Sequence, residues 1–175
     1  MTAEFGLVRR EELTGDDGAL WDTIAGARGH MPVSYQSLMH SPGAARAVSQ
    51  MGSYLRFASA VPEDVREAAV LVVNAQLDCP FGWVQHVPLA LAAGVDQRAI
   101  DELAAGQVSS WLTAGQRLAV MMAEESVQAG RVTSETLAQA RELLGVPQTI
   151  DLLLAIGYYS MLALYFRSLN LELPG

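Results

Sequence analysis

Cysteine is nearly missing from this 175-residue chain, which carries one, Cys79. A single cysteine excludes an intrachain disulfide and a Cys-x-x-Cys pair, and no metal-ligand spacing accompanies it. Charge is sparse as well. Charged residues make up 17% of the chain, acids outnumber bases by 19 to 11, and the net charge is −8. That balance argues against nucleic acid and anionic membrane as partners, because both are bound through basic patches. It leaves room for a small anionic substrate in a locally basic pocket.

No basic stretch followed by an apolar core opens the sequence at Met1-Thr2-Ala3-Glu4-Phe5, so no secretory leader is expected there. The longest apolar run, Leu152 to Phe166, lies between Asp151 and Arg167 and is interrupted by Gly157 and Ser160. It is shorter than the ~20 residues of a membrane span. The expectation is a cytoplasmic protein with no membrane partner. Strand signals are lacking too, since no β-branched stretch alternates cleanly between turns. There is no internal repeat and no low-complexity segment.

What is present is apolar, at 51% of residues, in a chain long enough for a real core. Gly and Pro punctuate a series of helix-like segments, and the expected class is all-α. A short helix is expected from Asp16 to Ala27, then a loop from Gly29 to Pro42. Ser41-Pro42 opens a helix to about Ala58, and Val61-Pro62-Glu63-Asp64 opens the next, ending near Asp78. Pro80 to Ala93 follows, with Pro88 inside it expected to kink or split it at about Val87. Asp96 to Ala104, Thr113 to Ala129, Thr133 to Gly145 and Val146 to about Asn170 complete the series. The tail from Leu171 is expected to be loose or to pack on a partner. Short loops suggest one domain over 1–175, with a core of about 42–169 and an N-terminal extension, 1–41. Two segments, Ala68 to Leu77 and Leu152 to Phe166, are apolar on most of their surface, and a second such helix in a small chain suggests a subunit interface.

The chemistry-bearing residues cluster between Glu67 and His86. Cys79 precedes Pro80, and proline is favoured at the first position of a helix. Cys79 is therefore the expected N-cap, at the positive end of the helix dipole, where a thiolate is favoured. His86 lies seven residues on, close to two turns at ~3.6 residues per turn, so it shares a face with Cys79. A thiol, an imidazole and a carboxylate can converge. Each has a plainer reading: a buried small hydrophobe for Cys79, a hydrogen-bonded core residue for His86 and a solvated first-turn acid for Glu67. The apolar block after Glu67 points to burial instead. Trp83 can line a pocket or pack in the core. His30 and His40 lie in the loop before the second long helix, where either can anchor a substrate carboxylate.

The pattern Arg66-Glu67, Cys79-Pro80-Phe81-Gly82-Trp83-Val84-Gln85-His86 and Ala90 to Gly94 resembles the carboxymuconolactone decarboxylase family, including its alkylhydroperoxidase D-like members. The closing stretch, Ile156 to Ala163, resembles the family's final helix. The resemblance covers roughly Pro42 to Leu169. It implies an all-α, alkylhydroperoxidase D-like bundle, assembled as a trimer or hexamer. Gly82 stands where the alkylhydroperoxidase branch has its second cysteine. With no resolving thiol in the chain, two-thiol peroxide reduction is disfavoured.

The first expectation is thus a cofactor-independent lyase that removes carbon dioxide from a small carboxylated lactone or related acid. His86 would supply the proton or stabilise the oxyanion, Glu67 would orient it, and Cys79 would line the pocket. The second is a one-thiol hydroperoxide reductase with Cys79 as nucleophile and an external thiol as reductant. The third is a non-catalytic ligand-binding oligomer.

Overall fold

The computed structural model describes residues 4–107 and 109–171. These residues form α-helices, a short 3-10 turn and connecting loops, with no strand among them. They divide into two compact units, one running to Phe57 and resuming at Phe166, the other spanning Ala58–Tyr165.

The first unit contains a 3-10 turn at Arg10–Glu12 and helices α1 (Gly15–Arg28), α2 (Val33–Leu38) and α3 (Pro42–Phe57). Helix α1 starts with Asp16 and Asp17 in its first turn, where acids offset the helix dipole, and stops at Gly29 in the left-handed region, φ 75°. Arg10 ties the turn to α1 through Asp22 at 2.7 Å. The stretch read as a loop from Gly29 to Pro42 contains α2. The Pro32 carbonyl accepts the amides of Tyr35 and Gln36 at 2.9 and 3.0 Å, and Tyr35 and Leu38 are buried. A helix of under two turns is too short to announce itself by periodicity.

The second unit contains α4 (Glu63–Gln76), α5 (Pro80–Ala92), α6 (Gln97–Ala104), α7 (Ala114–Ala129), α8 (Ser134–Leu144) and all but the last turn of α9 (Val146–Ser168). Helix α4 is its centre. Residues 65–74 are buried without a break, and α5, α6 and α7 pack around them. Each fully buried Val or Leu there contributes ~1.5–3 kcal/mol. Capping side chains hold the surrounding helices in register. Thr113 and Gln116 form a reciprocal capping box at the start of α7, and Gln116 also donates to Asp64 of α4 at 2.8 Å. Glu125 of α7 accepts from the Thr133 amide and the Thr136 hydroxyl, both at 2.6 Å, fixing the entry to α8.

Pro88 does not split its helix: α5 runs from Pro80 to Ala92 as one element. The carbonyl that loses its donor belongs to Val84, which is half-exposed, so water can satisfy it. The final helix is 23 residues long, longer than the apolar run inside it, so by length and composition it could cross a membrane. More than half of its most apolar window, 56%, is buried within the protein. At the far end Leu171 is buried and its amide donates to the Phe166 carbonyl at 3.0 Å; the rest of the expected loose tail lies outside the described residues.

Candidate functional site

Glu67 sits one turn into α4, where the helix has already entered the core, and its side chain is 0% exposed. A carboxylate in such a place needs partners for both oxygens. Oε1 accepts from the guanidinium of the adjacent Arg66, at 3.0 Å from Nη2 and 3.3 Å from Nε. Oε2 accepts from His86 Nδ1 at 2.7 Å. Arg66 is itself buried and also reaches the exposed Glu63 at 3.2 Å. Burial pushes the Glu67 pKa up, but the His86 hydrogen bond, the His86 charge and Arg66 together outweigh it and hold the pKa below 4.5. Glu67 is a buried anion.

His86 comes from α5, on the far side of that carboxylate. A carboxylate only accepts, so Nδ1 carries the proton and Nε2 of the neutral ring is an acceptor. Tyr159 of α9 braces the ring edge-on, with centroids 4.8 Å apart at 83°, and Tyr158 meets Tyr159 in the same way at 5.1 Å. The ring is 12% exposed, and no hydrogen bond within the described residues holds Nε2. A backed imidazole with one open nitrogen can take a proton from, or give one to, a bound molecule.

Cys79 lies at the junction of α4 and α5. Helix α4 ends in a Schellman arrangement: the Cys79 amide donates to the Asn74 carbonyl at 2.8 Å and the Asp78 amide to Ala75 at 3.1 Å. Asp78 takes the left-handed position usual for glycine, φ 49°. Cys79 is then the N-cap of α5, its carbonyl accepting from the Trp83 amide at 3.0 Å, with Pro80 at the start of the helix. The thiol side chain is buried, 1% exposed.

Gly82, one turn into α5, has a steric reason to lack a side chain. A Cβ there would overlap the amide oxygen of Asn74 and come within 2.7 Å of its Cγ. Asn74 is buried and held by donating from Nδ2 to the Val70 carbonyl at 2.8 Å. The space beside Gly82 is filled by the Asn74 carboxamide.

The structure thus joins Glu67 to His86 directly and sets Cys79 on the same helix as His86. Trp83 lies beside them on α5, partly exposed. His30 and His40 belong to the first unit, both exposed, with His40 Nε2 3.4 Å from the Gly6 carbonyl. Asn74 was missed by sequence reasoning; the signal was an amide directly after the apolar run from Ala68 to Val73. Tyr159 lies in the closing stretch from Ile156 to Ala163, to which the sequence reading gave no role at the site. A groove of about 540 Å³ elsewhere in the second unit, lined by Arg117, Met121, Gln139 and Leu143 among others, includes none of these residues.

An Arg-Glu pair on one buried helix, answered by a histidine on the next, is the arrangement that the sequence resemblance called for. Residues 42–125 match the carboxymuconolactone decarboxylase family. This family segment runs from the start of α3 into α7 and contains Arg66, Glu67, Cys79 and His86. Solved structures extend the likeness to nearly the whole chain. An alkylhydroperoxidase AhpD core protein, an uncharacterized peroxidase-related protein from Ralstonia eutropha JMP134, superposes with a TM-score of 0.84 at 15% identity, covering 99% of this chain and 93% of that one. A peroxidase-related protein from Silicibacter sp. TM1040 gives 0.77 at 16% identity, covering 91% and 85%. The debrominase Bmp8, in a cysteine-to-alanine variant complexed with 2,3,4-tribromopyrrole, gives 0.77 at 11% identity, covering 97% and 90%. At such identities the shared property is the fold, which is all-α and alkylhydroperoxidase D-like. No curated relative matches the sequence.

Proposed function

We propose that the chain is a cofactor-independent lyase that releases carbon dioxide from a small carboxylated lactone or related acid. The observation that carries this reading is the His86 ring, fixed at Nδ1 by a buried carboxylate, with no hydrogen bond to Nε2 among the described residues. When the bond to the departing carboxylate breaks, its electron pair moves into the conjugated carbonyl and forms a dienolate. Carbon dioxide leaves, and the protonated His86 returns a proton from Nε2 to carbon, to be reprotonated from water. Glu67 stabilises the imidazolium form and holds the ring in place, and Arg66 keeps Glu67 ionised. The family segment and its description support the same reaction class. The test is carbon dioxide release from a panel of carboxylated lactones. His86→Gln is expected to lower turnover at least ~100-fold, the usual scale for losing a general acid–base group, while the variant stays folded. Unchanged turnover in the variant would remove His86 from the mechanism.

A second reading is favoured by Cys79 at the N-terminus of α5 and by the likeness to peroxidase-related proteins. In a one-thiol hydroperoxide reductase, the Cys79 thiolate attacks the peroxide and becomes a sulfenic acid as the O–O bond breaks and an alcohol leaves. Two molecules of an external thiol then restore the cysteine, releasing water and a disulfide. Cys79→Ser separates the readings, since it is expected to abolish peroxide turnover and largely spare decarboxylation.

A further inference from the structure

Three positions of α5 follow one another along a single face. Cys79 caps the helix, Gly82 comes three residues later and His86 four residues after that. At those spacings they share a side of the helix, with Gly82 ~4.5 Å and His86 ~10.5 Å along the axis from the cap. His86 meets Glu67 of α4 on that side, and Gly82 meets Asn74 of the same helix. Gly82 contributes no side chain there. The Asn74 carboxamide takes the space, and its Oδ1 overlaps the point where a Cβ of Gly82 would stand.

Asn74 is 3% exposed. Its Nδ2 donates to the Val70 carbonyl at 2.8 Å. That bond fixes which way the amide points: nitrogen back along α4, oxygen toward α5. No hydrogen bond among the described residues reaches Oδ1. A buried acceptor without a donor is unfavourable, and such groups ordinarily find a partner in protein, water or ligand. Side chains three apart on a helix have Cβ atoms ~5–6 Å from each other. An oxygen atom bonded to the Cys79 sulfur would therefore come within hydrogen-bond reach of Oδ1.

We propose that Asn74 Oδ1 is the acceptor that holds the terminal O–H of a hydroperoxide against the Cys79 sulfur. This rests on the second reading above and gives it a binding residue. The Cys79 thiolate attacks the terminal oxygen, so an S–O bond forms as the O–O bond breaks. The sulfur is oxidised to a sulfenic acid, the peroxide is reduced, and the alkoxide leaves as an alcohol with the proton that the thiol gave up. The hydrogen on the transferred oxygen stays where it is. Oδ1 thus accepts the same O–H from the bound peroxide and from the sulfenic acid. A carboxamide oxygen suits this task because it accepts without taking the proton away. Its anchored nitrogen means that it is already oriented before the peroxide arrives.

The test follows Cys79 by intact mass in the full chain. With tert-butyl hydroperoxide the unaltered chain is expected to gain one oxygen. Asn74→Ala, and Asn74→Leu, which keeps the bulk and removes the acceptor, are each expected to slow that gain at least ~tenfold, the scale of one buried hydrogen bond. Methyl methanethiosulfonate consumes the same thiolate but has no O–H to donate, so its rate is expected to stay unchanged in both variants. Two outcomes overturn the assignment of Asn74 and leave the second reading standing. One is equal oxidation rates with and without Asn74, as a water molecule on Oδ1 would give. The other is equal slowing with both reagents, as a disturbed α4–α5 junction would give. A Cys79 that gains no oxygen in the unaltered chain would overturn the second reading, and this proposal with it.

Discussion

Glu67 shows what one buried charge can organise. Its carboxylate meets Arg66 on one oxygen and His86 on the other, and its pKa is held below the ordinary 4.5. A carboxylate with a depressed folded pKa contributes stability that is complete above its unfolded pKa and is lost as the pH falls through the folded value. The protein is therefore expected to lose thermal stability in acid below about pH 4.5, and Glu67→Gln should flatten that limb. At neutral pH the same variant is expected to cost ~3 kcal/mol, because the buried Arg66 loses its closest counter-charge. Denaturant unfolding across the pH range measures both. A variant whose acid limb matches the parent would show that Glu67 does not govern it. Glu67 and His86 were legible as a pair from residue type and spacing. The direct 2.7 Å bond was not, because it depends on how α4 and α5 are brought together.

At the scale of elements, the α4–α5 junction decides what Cys79 can do. The Schellman turn through Asp78 delivers Cys79 straight from the end of one helix to the cap of the next, with no loop between. The cap was readable from Cys79-Pro80. The constraint on Gly82 was not, since it comes from Asn74 across the helix pair. Gly82→Ala is expected to destabilise the protein by ~1–3 kcal/mol through overpacking. Adding Asn74→Ala should recover part of that loss, so the double variant is more stable than the sum of the singles implies. Additive changes in urea unfolding would show that the two positions do not share space. Helices α2 and α5 show the limits of local rules. The first is held by buried Tyr35 and Leu38 without a long periodic signal, and the second continues through Pro88, one turn after half-exposed Val84.

At the scale of the whole molecule, α9 joins the reading of the site to the subunit interface that its apolar sequence suggests. One face braces His86 through Tyr159, and the other leaves Ile150, Leu154, Met161 and Leu164 exposed. If two copies pair through that face, unfolding is coupled to dissociation and the thermal midpoint must rise with protein concentration. A midpoint that stays constant over a hundredfold range of concentration would show the folded chain to be stable alone. The apolar character of α9 was evident in the sequence. Which of its apolar residues are covered within the unit and which stay outside was not.

The sequence by itself determined the helical class, most of the caps and stops, and the residue types from which a proton-transfer or thiol site can be built. Those properties follow from local forces: dihedral preferences, capping hydrogen bonds and the period of apolar residues along one helix. Only the tertiary structure decided that Glu67 is ionised in the core between Arg66 and His86, that Asn74 fills the space above Gly82, and that α9 keeps one apolar face outside. Each of these depends on which surfaces of distant segments meet, and on the removal of water between them, which changes the energy of every charge and every void at the contact.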